Sequence, residues 1–187
     1  ADANYAQTSG YDADGRMTWD NAQTWIGTLN TAGLLGASDW RLPTVTDTGP
    51  IGCDFSYGGT DCGWNADTST GEMASLFYDT LGNLALYDTS ANFPQPGYGL
   101  LNTGPFSNIQ SFYYWADTES ASDSSEAWYF HLNFGTQNDA DKTLNRNAWA
   151  VRSGDIAAVP VPATVWLFGS ALAGLGWMRR LKKRGLL

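Results

Sequence analysis

Apolar positions in the first part of the chain recur at helical spacing. Trp19, Ala22, Ile26 and Leu29 fall on one stripe with Trp25 beside them, Thr18 is placed to cap the start, and Gly33 ends the run. A shorter stripe of Met73, Leu76, Phe77 and Leu81 stops at Gly82. The pattern then lapses through Asn92-Phe-Pro-Gln-Pro-Gly97 and Asn102-Thr-Gly-Pro105, which read as loop. Alternation follows. Phe112 to Ala116 is one strand, and Ala148 to Arg152 is another. Between them, Ala127 to Phe134 sets Trp128, Phe130, Leu132 and Phe134 on one face and a partly exposed His131 on the other. Asn138-Asp139-Ala140-Asp141 reads as the turn region between the last two strands. Short helices, long loops and late antiparallel strands without internal repetition predict an α+β domain over residues 1–155.

After Asp155 the pattern changes character. Pro160 and Pro162 set a helix start, and Ala163 to Met178 then carry no formal charge. A single hydrophobic helix of that length reaches roughly 24 Å, slightly short of a ~30 Å hydrocarbon core. Snorkelling Arg179 and Arg180 make up most of the deficit, and Trp166 and Trp177 lie near the two ends, where indole rings favour the interface. A helix apolar on every face would have nowhere to hide in so small a domain, so the membrane reading is preferred to a core helix.

Charge divides at the same place. Of 187 residues, all 19 acids precede position 156, opposed there by Arg16, Arg41, Lys142, Arg146 and Arg152, a balance of −14. The last 32 residues hold five bases and no acid. The domains are therefore 1–155 and a 156–187 tail, and the basic cluster at 179–184 assigns the tail end to the cytoplasm and the acidic domain to the far side. No basic stripe lies in the folded part, which excludes nucleic-acid binding by counterion release. Nine Trp, nine Tyr and eight Phe supply enough apolar area to exclude disorder.

Cys53 and Cys62 flank a stretch of turn formers, so their ends can meet as a disulfide. Closing that loop stabilises a fold by roughly 2–3 kcal/mol on the chain-entropy model and suits an oxidising compartment. Two Cys and a lone His do not make a zinc set, so no metal centre is expected.

The stretch Val159-Pro160-Val161-Pro162-Ala163, followed by Val165-Trp166-Leu167-Phe168-Gly169-Ser170 and Arg179-Arg180, resembles a PEP-CTERM sorting signal, with Val161 where the name-giving motif has Glu. The resemblance implies transient inner-membrane anchoring and processing by an exosortase. It then implies delivery to the cell surface or extracellular polysaccharide matrix of a Gram-negative bacterium. Upstream, Thr18-Trp19, Asp39-Trp40-Arg41-Leu42-Pro43-Thr44, Tyr114-Trp115-Ala116-Asp117-Thr118-Glu119 and Ala148-Trp149-Ala150-Val151-Arg152 are similar to Lcl C-terminal-like domains. That implies a C-type-lectin-like fold, and the Arg41-Leu42-Pro43-Thr44 step also occurs in relatives of formylglycine-generating enzymes. Three departures stand out: Val45-Thr46-Asp47 with the cysteine loop after it, Ala116 in place of Ser, and an opening in mid-pattern that predicts an N-terminally truncated sequence.

Trp40, Trp115 and Trp149 are expected to be core, and Arg41 to tie loop carbonyls or a carboxylate such as Asp39 or Glu119 beside the rigid Pro43. Asp12-Ala-Asp14-Gly15 opens like a calcium loop, but Gln23 stands where a bidentate Glu belongs. A looser calcium site at Asp12, Asp14 or Asn138-Asp139-Asp141 is the weaker alternative to solvated turn acids. Gln95-Pro96-Gly97 lacks the acid of the lectin Gln-Pro-Asp signature. Glu119, Asp123 and Glu126 could pair as carboxylates, and no hydrolase or phosphate-loop motif is present. The expectation is a non-catalytic surface or matrix protein without cofactor, binding or organising exopolysaccharide. The alternative is an enzyme on a formylglycine-generating-enzyme-like scaffold. A domain at −14 repels polyanions, so neutral or cation-bridged polysaccharide fits better, with Tyr11, Tyr57, Tyr98 and Tyr113 as candidates to stack on sugar rings.

Overall fold

The computed structural model describes residues 2–48 and 56–153. Cys53, the sorting motif Val159–Pro162, the helix expected from Ala163 and the anchor residues Trp166, Leu167, Phe168, Trp177, Arg179 and Arg180 lie outside the described residues. Among the described residues no helix is long and apolar enough to cross a membrane.

Thr18 accepts a hydrogen bond from Asn21 N and opens α2 (Trp19–Thr31), which follows a single turn, α1 (Tyr5–Thr8). Ala22, Trp25, Ile26 and Leu29 are its buried stripe, and Gly33 leaves it at φ 61°. The second apolar stripe forms α3 (Glu72–Ser75), which widens into a π-helical turn over Leu76–Thr80 before Gly82 at φ 67°.

Among the described residues six strands make one sheet: β1 (Arg16–Met17), β2 (Gly63–Trp64), β3 (Tyr113–Glu119), β4 (Glu126–His131), β5 (Thr136–Asp141) and β6 (Arg146–Asn147). Their order is β1-β6-β3-β4-β5-β2, antiparallel except where β3 meets β6 at Tyr114 and Asn147. Both faces of the centre are covered. Trp115, Ala127 and Tyr129 pack under α2 with Trp25 and Leu42, while Tyr114, Phe130 and Leu132 pack under α3 with Met73 and Phe77. The result is mostly sheet with a few short helices, and Ala1–Arg152 form one compact unit.

Four expectations are corrected. Asn138–Asp141 is not a turn but most of β5, paired with β4 in unbroken register from Glu126↔Asp141 to His131↔Thr136. Asp and Asn have poor strand propensity, and ladder pairing with a buried neighbour overrides it. His131 is not partly exposed: it is 5% exposed, because β4 is buried on both faces. Phe134 leaves the strand for a tight turn closed by Gly135 N to His131 O, and it is exposed. The last strand sits earlier than Ala148–Arg152. β6 is Arg146–Asn147, and the chain rejoins backbone pairing only at the Val151–Arg41 bridge.

Candidate functional site

The signature residues 40–45 form a junction between four parts of the fold. Asn30, near the end of α2, donates from Nδ2 to Trp40 O at 2.9 Å and accepts from Trp40 N at 2.8 Å. Arg41 exchanges both backbone hydrogen bonds with Val151, at 2.9 and 2.8 Å. Leu42 and Pro43 are fully buried, and Pro43 O accepts from Asp117 N of β3. The Arg41 guanidinium forks onto Glu72, Nη1–Oε2 at 2.6 Å and Nη2–Oε1 at 2.7 Å. Thr44 N donates to the same Oε2 at 2.7 Å, and Glu72 N returns a bond to Thr44 O. The Arg41 guanidinium holds the Glu72 carboxyl below its usual range against the opposing effect of partial burial.

Asp39 and Glu119 are therefore not the carboxylates that Arg41 grips. Asp39 pairs with Arg152 (Nε–Oδ1 3.1 Å), and Glu119 pairs with Lys142. Glu72 was missed because its partner lies 31 residues upstream; the available signal was an acid opening a predicted helix. Trp115 and Trp149 are buried, Trp115 donating to Met17 O at 2.9 Å, and Trp40 is half-buried and donates to Leu34 O.

A second group lies on the sheet. Arg146 is 6% exposed, and its guanidinium stands over the rings of Tyr129, Tyr113 and Trp115 at 3.8, 4.3 and 5.0 Å. Its Nε has no hydrogen-bond partner, and burial lowers its pKa. Beside it His131 packs edge-on to Tyr113 at 4.0 Å and flat on Phe134 at 4.4 Å. Nδ1 accepts from Asn133 N and Phe134 N, so the neutral ring carries its proton on Nε2. Burial, with Arg146 adding to it, brings its pKa down to about 4.

The acids considered for calcium are engaged locally. Asp12 Oδ1 accepts from Asp14 N and Gly15 N, and Asp14 pairs with Arg16 at 3.0 Å. Asp139 accepts from Ser120 and Asp141 from Thr143. Among the described residues no three His, Cys, Asp or Glu groups converge as a metal set. Gln95 donates to Ala85 O and so braces its own loop. Cys62 is fully buried against Val45, Ala116 and Trp128.

Two further surface features bear on binding. Beside Glu72 lies a cleft of about 380 Å³ whose walls carry the hydroxyls of Thr44, Thr46, Thr68, Ser69 and Thr80. Elsewhere, strand β2 and two loops bring four rings together. Tyr57 and Trp64 stack at 5.5 Å with planes 13° apart, Tyr87 touches both at 5.3 and 4.6 Å, and Phe93 stacks on Tyr87 at 4.8 Å. Asn65, at φ 54°, joins the loops by donating from Nδ2 to Tyr57 O and Tyr87 O. Of the tyrosines expected at the surface, Tyr11 and Tyr57 are exposed, whereas Tyr98 and Tyr113 are half-buried. Trp64, in the two-residue β2, and Tyr87 and Phe93, in a loop, were missed because segments so short or irregular carry no period to read.

A family profile described as Lcl C-terminal domain matches residues 3–152. The chain belongs to the Lcl C-terminal domain family. A second profile, the PEP-CTERM protein-sorting motif, matches residues 158–180, immediately after the Lcl C-terminal domain ends. No curated protein and no solved structure matches the chain. The sorting motif supports an exported protein that associates with the membrane, is processed by an exosortase and is then released to the surface. In this Lcl C-terminal domain the Trp-Arg-Leu-Pro-Thr signature locks α2, α3, β3 and the end of the domain to one another.

Proposed function

We propose that this chain is a non-catalytic protein of the cell surface or extracellular matrix that binds or organises exopolysaccharide. The observation that carries the proposal is the order of its parts: a sorting signal at 158–180 directly follows a domain with a charge balance of −14. Such a charge disfavours polyanions and favours uncharged polymer. Two polar features of the domain are also engaged within its own scaffold. Arg41 and Glu72 neutralise each other, and the single histidine is buried and uncharged at neutral pH. Long loops over an antiparallel sheet are compatible with the C-type-lectin-like scaffold, which is part of this proposal. So is a Cys53–Cys62 disulfide formed after export.

The test is to express the full chain in a Gram-negative host that carries an exosortase and to follow it by fractionation. The expected product moves from the inner membrane to the surface or medium, shortened at its C-terminus and resistant to thiol alkylation until reduced. Full-length protein that stays in the inner membrane with two alkylatable thiols overturns the reading.

A further inference from the structure

The four-ring cluster is built like a piece of core yet stands at the surface. Phe93 is 59% exposed and Tyr57 39%, while Trp64 and Tyr87 are half-buried behind them. Apolar surface of this kind, gathered from a strand and separate loops and pinned in place, is costly to leave in water without a use. Three features hold it rigid. Asn65 ties both loops, as described. Asp88 fixes the Tyr87 loop by accepting from Ser90 N, Asn92 N and Asn92 Nδ2 at 2.7–2.9 Å. Tyr78 completes the support by accepting from Asn65 N and donating to Gly135 O at the sheet end. The rings are therefore pre-ordered, which limits the entropy lost when something docks on them.

The chemistry around the rings selects the occupant. The five basic residues of the domain are all engaged elsewhere: Arg16 with Asp14, Arg41 with Glu72, Lys142 with Glu119, Arg152 with Asp39, and Arg146 beneath its own rings. The charge next to Tyr87 in sequence is the Asp88 carboxylate. Among the described residues no unpaired cation is on hand to receive an acidic sugar or a nucleic-acid phosphate. Two of the four rings, Tyr57 and Tyr87, are phenols and so bring hydroxyl groups to the cluster. Exposed aromatic rings that include phenols match a pyranose ring, whose C–H groups line one face and whose hydroxyls ring its rim.

We infer that Tyr57, Trp64, Tyr87 and Phe93 form a stacking site for uncharged hexopyranose units of a neutral polysaccharide. This rests on the exopolysaccharide reading above and gives it a location. Phe93 offers its free face to one sugar, and Tyr57 offers the other exposed surface of the cluster. The Thr/Ser cleft beside Glu72 serves as the internal control, since it presents hydroxyls without an aromatic floor.

Affinity electrophoresis of the full chain in a sugar-free detergent tests the site, with laminarin, glucomannan and dextran as neutral probes and alginate as the acidic one. The wild type is expected to be retarded by at least one neutral polymer and not by alginate. Phe93→Ala and Tyr57→Ala should each weaken that retardation about tenfold, as for an aromatic anchor. Phe93→Trp should restore it, and Thr68→Val in the cleft should leave it unchanged. Phe93 is mostly exposed, so its removal leaves the fold intact, which an unchanged near-UV circular dichroism spectrum verifies. Retardation that survives both ring substitutions, or that falls with Thr68→Val alone, overturns the site while the polysaccharide reading stands. No retardation by any probe, or retardation by alginate only, overturns both. Loss of self-association in Phe93→Ala without any change in polymer binding would make the cluster an interface between copies and overturn the site.

Discussion

Arg41 is partly exposed with its guanidinium forked onto Glu72, whereas Arg146 is sealed beneath Tyr113, Trp115 and Tyr129 with no ion pair among the described residues. The first is held by opposite charge in partial contact with water, so its contribution is screened by salt and weakened by acid. The second is held by ring faces in a desolvated site, where cation–π attraction is stronger and salt has little access. One domain thus uses the same side chain twice under different physics, at a loop junction and inside a sheet. A buried guanidinium without a counter-ion also makes the sheet less tolerant of a second charge nearby. That is the situation of His131.

The largest effect separates bulk from charge at Arg146. Arg146→Ala should lose about 3 kcal/mol in urea unfolding, because it empties a filled site beneath three rings. Arg146→Met keeps the length without the charge and should stay within about 1 kcal/mol of the parent. If Met costs as much as Ala, the cation itself holds the rings together.

His131 should make stability pH-dependent. Its folded pKa of about 4 lies below the ordinary 6.5, so between those values the unfolded chain binds the extra proton. Stability is then fully present above about pH 6.5 and falls as pH drops towards 4, by up to about 1.4 kcal/mol per pH unit. His131→Asn should flatten that window in urea titrations at fixed pH. An unchanged slope would assign it to carboxylates instead.

Glu72→Gln should cost about 1 kcal/mol or less, since the Glu72 side chain is 45% exposed and its pair is solvent-screened. The loss should shrink in 1 M salt, whereas the Arg146 effects should not. Because the folded pKa of Glu72 is depressed, its contribution is present above the unfolded carboxylate range and lost as pH falls through the folded value. The gap between parent and variant should therefore close in strong acid, below the His131 window. A gap that persists there would mean that the hydrogen bonds to Thr44, not the charge, hold the junction.

Periodic segments were readable from sequence because burial on one face dictates them. The stripe Ala22, Trp25, Ile26 and Leu29 is the buried face of α2, and Thr18 caps it. Trp128, Phe130 and Leu132 are buried in or next to β4 as their alternation implies. The interleaved His131 hid the fact that the opposite face is also covered, by α2 and the Tyr113–Arg146 group. β5 was illegible because Asn138, Asp139 and Asp141 carry turn chemistry, and only the partner strand makes them extended. The tight bond between Arg41 and a carboxylate was foreseeable from its donors, but the identity of that carboxylate is a property of the fold. The ring cluster is of the same kind, since Tyr57 and Tyr87 are neighbours across a link that Asn65 makes to both backbones.

The exchange of backbone hydrogen bonds between Arg41 and Val151 fastens the end of the domain to its own signature. With Arg152 gripping Asp39, this clasp closes six positions before the sorting motif begins at 158. A protease cutting inside that motif severs none of the described sheet pairings. Liberation from the bilayer and integrity of the cargo are thereby uncoupled, so what reaches the outside leaves already finished.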